Sequence, residues 1–305
     1  MEYTSCLVCG ADEPEYFCSG YDRFLGTDGE FTLVRCARCG FVYLNPRPAE
    51  NEMSKYYTGE YYSFQRWSED VGLLKRLFRK MKWKSLSRIG PIRFAGVPKF
   101  IENGRILDFG CGSGEVLNVL KRLGWETYGI EIDTEAAEYA RSKGLRVFDQ
   151  DIRSIHFPDE YFDVVRMRSV LEHCHRASPF LDEVFRVLKK TGSLILVIPN
   201  IKSLEFKIFK NRWFHLDIPR HLYHFTPSTI TSLLEKHGFQ VPLVRFVGGG
   251  GILGSLDYIL NENKNRYGTK LNKIKPLRTV SFFVCEFWIN LFRQGDMIEV
   301  LALKP

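Results

Sequence analysis

The sequence predicts an α/β chain: a Rossmann-like sheet with helices between its strands, preceded by a small cysteine-bearing module. Three observations predict it. From Ile106 onward, apolar strands alternate with helical stretches, the pattern of a parallel sheet. The first strand runs into a turn of glycines at every second position, Asp108-Phe109-Gly110-Cys111-Gly112-Ser113-Gly114. Before residue 48 stand two C-x-x-C-G units, Cys6-Leu7-Val8-Cys9-Gly10 and Cys36-Ala37-Arg38-Cys39-Gly40.

The cysteine module comes first in the chain. Two thiolates two residues apart in a tight turn reach one tetrahedral ion, and a second such turn completes a four-cysteine site. Cys6, Cys9, Cys36 and Cys39 are therefore expected to bind a structural zinc in a zinc-ribbon-like module over residues 1–48. Two disulfides are the alternative, which a cytoplasmic setting disfavours. Four thiolates leave no open position for chemistry. Cys18, Cys111, Cys174 and Cys285 have no partner at metal spacing and read as small apolar residues.

Residues 49–100 read as a linker. The segment 66–105 holds eleven Lys or Arg against three acids, so the net charge of +7 is local and not general. Within it, residues 71–88 read as an amphipathic helix with Leu73, Leu74, Leu77, Phe78 and Met81 on one side and basic residues on the other. That face suits an anionic membrane surface or a phosphate-bearing substrate, or it is simply solvated. Met1 is followed by no basic-then-apolar leader, and the longest apolar stretch, 280–292, is interrupted and short. The expected location is cytoplasmic, with a peripheral membrane contact through 71–88 left open.

Residues 101–305 form the main domain, and with 45% hydrophobic residues the chain can bury a core of that size. The first strand is read at 105–108 and its helix closes at Gly124. A second strand, 127–132, meets Glu131 and Asp133, and Asp133 or Thr134 caps a helix ending by Gly144. The third strand, 145–148, leads to Asp149-Gln150-Asp151-Ile152. The fourth, 162–167, is followed by a helix over 179–188, a turn at Thr191-Gly192 and an apolar strand over 193–198. Thr226 and Pro227 open a helix stopped by Gly238. Strands at 241–247 and 297–303 close the sheet, and insertions are placed at about 201–226 and 248–295.

The glycine turn limits the ligand. Counting from Gly110, a dinucleotide fingerprint would place glycine at the sixth position, where Glu115 stands, and no G-K-[ST] phosphate loop is present. A carboxylate ending the strand suits a cation better than a pyrophosphate. An acid about 20 residues further on is where a ribose diol is held.

The run D-F-G-C-G-S-G, Y-G-I-E-I-D, D-Q-D-I, F-D-V-V, S-V-L-E-H, R-V-L-K-K-T-G and L-I-L-V-I-P-N resembles, in order and spacing across about residues 101–247, the class I S-adenosylmethionine-dependent methyltransferases. The resemblance implies their seven-stranded sheet with an antiparallel closing strand. It also implies that Asp108, Gly110, Gly112 and Gly114 hold the methionine part of S-adenosylmethionine. Glu131 would then take the ribose hydroxyls, and Asp151 with the backbone of Ile152 would read the adenine. The C-x-x-C-G pairs, Pro46-Arg47-Pro48 and the tyrosines at 56–62 resemble bacterial methyltransferases with a cysteine zinc knuckle ahead of this fold. That implies a small-molecule acceptor, a sugar or a glycan- or lipid-linked one.

The long connection Phe206 to Thr226, which contains Trp213-Phe214-His215-Leu216-Asp217-Ile218-Pro219-Arg220-His221-Leu222-Tyr223-His224-Phe225-Thr226, leaves the cofactor edge of the sheet. Long aromatic connections of this kind are functional more often than disordered, and it is expected to roof the acceptor. A hydroxyl acceptor needs a base, and His221, then His173, then His224 or His215 are the candidates. The alternative is that these histidines orient loop backbone. No carboxylate pair accompanies them at ligand spacing, which counts against a catalytic metal. Arg168-Ser169-Val170-Leu171 stands where nucleobase methylases carry an N/D-P-P-Y motif, so a nucleic-acid partner is disfavoured.

Overall fold

The computed structural model describes residues 1–57, 96, 98–260 and 294–305. The basic stretch 71–88, the aromatic stretch 282–288 and Cys285 lie outside the described residues.

Two sheets organise the rest. The larger has seven strands, β4 (Arg105–Phe109), β5 (Glu126–Ile130), β6 (Arg146–Phe148), β7 (Phe162–Arg168), β8 (Leu188–Pro199), β10 (Gln240–Val247) and β11 (Met297–Leu303). Their spatial order is β10-β11-β8-β7-β4-β5-β6. The five strands β6, β5, β4, β7 and β8 are parallel, and β11 lies antiparallel between β8 and β10. This is the Rossmann-like sheet with an antiparallel closing strand. The winding reverses between β4 and β7, and ligands of such sheets bind at the carboxyl ends of strands where that happens.

Both faces of the sheet are covered, which is why its central strands are near-continuous apolar runs. Leu107, Val165, Leu194 and Leu196 face one core, and Ile106, Val164 and Ile195 face another with Leu120 and Trp125. Helix α1 (Glu115–Arg122) begins directly after Gly114. Helix α2 (Thr134–Ser142) is capped by Asp133, whose carboxylate accepts the Ala136 N–H at 2.7 Å. Short α3 (Ile152–Ile155) and longer α4 (Ala177–Val187) follow. Strand β8 starts five residues earlier than its apolar run, because Leu188 already pairs with Phe162. The Thr191-Gly192 turn is absorbed as an irregularity inside the strand. A Cβ at Gly192 would sit 2.7 Å from the Lys189 carbonyl oxygen, so only glycine fits there.

The smaller sheet is antiparallel: β1 (Pro14–Tyr21), β2 (Glu30–Cys36), β3 (Val42–Leu44) and β9 (Tyr223–His224). Its last strand comes from the far end of the chain. Val42 pairs with His224 and Tyr43 with Tyr223. The cysteine module is thereby stitched to the main domain, and its Leu33, Phe41 and Leu44 share one buried cluster with Leu107, Leu196 and Ile298. Helix α5 (Leu204–Phe209), helix α6 (Pro227–Lys236) and helix α7 (Gly251–Leu260) complete the described elements. Thr226 caps α6 with Pro227 in its first turn, as the sequence indicates.

Candidate functional site

The glycine turn is shaped by backbone that only glycine holds without strain. Gly110, Gly112 and Gly114 have φ of 62°, 54° and 80°. Their surroundings differ. A Cβ at Gly114 would lie 2.4 Å from the Leu145 side chain and one at Gly110 would lie 2.9 Å from Val170, whereas at Gly112 nothing stands within 4 Å. Gly114 is therefore a packing glycine, and Gly112 leaves its backbone open to a ligand. Gly114→Ala is expected to lose cofactor affinity together with stability, because α1 must shift away from Leu145. Paired calorimetric titration and thermal melting would check it, and an unchanged melting point would contradict the packing role.

Three acids surround this turn at the ends of successive strands. Glu131, just beyond β5, accepts the Gly112 N–H at 2.7 Å on one oxygen and the Asp133 N–H at 3.0 Å on the other. It braces the turn while keeping lone pairs for hydroxyls. Burial pushes its carboxyl up, against the pull of these N–H groups. Asp151 caps α3 and is held by Arg153 at 2.8 and 2.7 Å; that ion pair lowers its pKa. Ile152 is buried behind it.

Asp108 is 1% exposed, so it does not form an open anionic surface. One oxygen takes the Arg166 guanidinium at 2.5 Å, and the other is buried with no hydrogen-bond partner among the described residues. Arg166 also donates to the Gly96 carbonyl at 2.7 Å. Arg166 had a sequence signal that went unread: a lone arginine inside the run Phe162-Asp163-Val164-Val165-Arg166-Met167 needs a buried partner.

The four cysteines of the small module converge. Cys6 and Cys39 sulfurs are 3.5 Å apart, as are those of Cys9 and Cys36, and all four lie within 4.8 Å of one another. A tetrahedral site with metal–sulfur bonds near 2.3 Å separates its sulfurs by about 3.8 Å, whereas a disulfide needs about 2.05 Å. Each knuckle is the same turn: the Gly10 N–H donates to the Cys6 carbonyl and the Gly40 N–H to the Cys36 carbonyl, both glycines at φ 74°.

Beside the glycine turn lies a second polar cluster, buried except for the half-buried His173. Val170, which touches Gly110, leads into the turn Leu171–His173. The Leu222 N–H donates to the Glu172 carbonyl at 2.8 Å, which brings the 213–226 stretch onto this turn. His173 and His221 then stack edge to face with centroids 4.6 Å apart, and the His224 ring is 6.3 Å from His221. His215 is elsewhere, 3.1 Å from Asp296. His175 faces the Pro48 carbonyl instead. Burial lowers His173 to about 4 and His224 to about 3, and takes His221 well below its ordinary value. All three are neutral imidazoles near pH 7.

The expected roof is thus largely core. Trp213, Leu216, Leu222 and Phe225 are buried, and Arg220, fully buried, ties this stretch to Asp22 at the end of β1. Its guanidinium donates to both oxygens of Asp22 at 2.9 and 2.6 Å and to Asp217 at 2.9 and 2.7 Å. Burial alone would raise Asp217, but Arg220 prevails and holds it near 2. The aromatic and charged density of 213–226 was legible; its partner Asp22 was not.

A family described as a methyltransferase domain matches residues 74–243, more than half of the chain. A protein of Mycolicibacterium smegmatis described as a "probable S-adenosylmethionine-dependent methyltransferase" is 29% identical over 157 residues, half of this chain and 58% of that protein. The chain thus spans less than two thirds of that relative. A ubiquinone biosynthesis O-methyltransferase of Maricaulis maris is 30% identical over 189 residues, covering 52% of this chain and 73% of that protein. Among solved structures, a SAM-dependent methyltransferase from Archaeoglobus fulgidus aligns with a TM-score of 0.49 at 24% identity, over 75% of this chain and 94% of that one.

Proposed function

Because the chain belongs to the class I S-adenosylmethionine-dependent methyltransferase family, we propose that it transfers a methyl group to a hydroxyl of a small molecule, free or linked to a glycan or lipid. The observation that carries the cofactor assignment is the open backbone at Gly112 ringed by Asp108, Glu131 and Asp151. The buried, unpartnered oxygen of Asp108 suits an ammonium, Glu131 suits a ribose diol, and Asp151 with the Ile152 backbone suits the adenine edge. When bound there, S-adenosylmethionine supplies an electrophilic methyl on a sulfonium sulfur. The O-methylating relatives favour oxygen as the accepting atom.

The chain's own contribution is alignment and proton removal. In-line displacement is accelerated chiefly by holding acceptor and donor in register. As the new O–CH3 bond forms and the S–CH3 bond breaks, the hydroxyl proton must leave, and His173, the least buried of the three clustered histidines, is the residue able to take it. His221 stands behind it. In the small module, the four thiolates hold a structural zinc, supported by their spacing and matched knuckles.

Calorimetric titration with S-adenosylhomocysteine tests the reading. Glu131→Ala removes a charged hydrogen-bonding group from both turn and ligand, at roughly 1.5–3 kcal/mol, so affinity is expected to fall about 10- to 100-fold. A folded protein that binds no S-adenosylhomocysteine would sink the proposal.

A further inference from the structure

In the polar cluster beside the glycine turn, several buried side-chain acceptors have no hydrogen-bond partner among the described residues. Glu172 is fully buried, and neither of its carboxylate oxygens meets a hydrogen-bond donor among the described residues. The His221 Nδ1 is 2.8 Å from the His215 carbonyl, which can only accept, so Nδ1 carries the proton and Nε2 is a bare lone pair. That Nε2 is buried and unpartnered as well. His173 can take the same tautomer: its Nδ1 lies 3.1 Å from the Arg220 carbonyl, which only accepts, and 2.8 Å from the Tyr57 hydroxyl, and with the proton on Nδ1 its Nε2 offers a lone pair. One ligand atom each from Glu172, His173 and His221 fall within 4.8 Å of one another.

Buried acceptors that face each other without a donor are costly unless something positive sits among them. Imidazoles whose second nitrogen donates to a backbone carbonyl are also how metal-binding histidines are oriented. We propose that Glu172, His173 and His221 form a second metal site, distinct from the four cysteines, that takes one divalent first-row transition ion. Two imidazoles and one carboxylate favour manganese, iron, cobalt or zinc over magnesium and calcium, which take oxygen donors. Asp217, with an oxygen 3.8 Å from the His221 Nε2, adds negative charge at the rim. His173, the most exposed of the three, is the side from which an acceptor oxygen would approach the ion.

With an ion bound, His173 is a ligand, and the cation would acidify the acceptor hydroxyl directly in place of proton removal by a free imidazole. That catalytic role rests on the methyltransferase reading; ion binding itself does not.

Zinc-loaded full-length chain titrated with Mn2+ and followed by electron paramagnetic resonance tests it, since manganese does not compete for four thiolates. One Mn2+ per chain is expected, weakened about tenfold or more in Glu172→Gln and in His221→Ala. Cobalt read by its visible spectrum is the second probe, and a cooperative thermal melt shows that each variant is folded. Binding of S-adenosylhomocysteine without uptake of Mn2+ or Co2+ would overturn the metal site and leave a carboxyl–imidazole proton pair. Uptake that Glu172→Gln leaves unchanged would overturn it too. Metal uptake without S-adenosylhomocysteine binding would keep the site and sink the methyl-transfer reading.

Discussion

Stripping zinc from the four cysteines with a strong chelator is expected to unfold residues 1–48 and to loosen the histidine edge with them. Structural zinc in small modules contributes an apparent ~10–16 kcal/mol at pH 7, more than the whole stability of many domains, about 5–15 kcal/mol. The consequence reaches further than the module. Strand β3 follows directly on the second knuckle and pairs with β9, so Tyr223 and His224 lose their partners when the knuckle opens. The Leu44 N–H bond to the Leu222 carbonyl would be lost at the same time. Cleavage by a protease within residues 1–48 should appear on chelation, together with loss of activity. Affinity for S-adenosylhomocysteine should fall less, because the hydrogen bonds of the glycine turn and its acids run to β5, β7 and α3 rather than to the small sheet. Reduced protein that contains no zinc and melts identically with and without chelator would refute this.

Replacing Arg220 is the second large effect. Arg220→Met leaves the carboxylates of Asp22 and Asp217 facing one another in a buried site. Removing one partner of a buried ion pair costs about 3–5 kcal/mol, since the remaining charge stays desolvated. Arg220→Lys should recover little, because one ammonium cannot reproduce the planar fork that reaches both carboxylates and the Tyr56 carbonyl. Neutralising the pair, by Asp22→Asn with Asp217→Asn in the Arg220→Met background, should restore much of the loss.

Acid makes a further check. Asp217 is held near 2 in the folded protein, below about 3.9 in the unfolded chain. Its contribution of about 2–3 kcal/mol is therefore present above pH 4 and is lost as pH falls toward 2. The penalty of Arg220→Met should accordingly shrink between neutral pH and pH 3, where the freed carboxylates take up protons. Urea denaturation at the two pH values measures this, and a penalty independent of pH would show that packing, not charge, is what Arg220 contributes.

Much was decided by the sequence alone, where the determining interactions are local. Glycines at positions 110, 112 and 114 announce a turn because the backbone there is left-handed, a property of each residue and its neighbours. Strand-ending acids, the Asp133 and Thr226 caps and the two cysteine knuckles are legible for the same reason: each is closed within a few residues. Apolar runs mark the central parallel strands, since a strand buried on both faces must be apolar throughout, while the seven-stranded sheet with its antiparallel closing strand is what the family resemblance implies.

What the tertiary structure decided are the pairings between distant segments, which carry no periodic signal. Asp108 reads as a carboxylate that suits a cation, and only the structure shows Arg166 beside it at 2.5 Å. Residues 206–226 read as a roof over the acceptor, and only the structure shows β9 closing the cysteine sheet and Arg220 reaching Asp22. Glu172 stands next to His173 in the chain yet shows its chemistry only when His221 arrives from the other side, because an unmet lone pair is a property of everything that surrounds it.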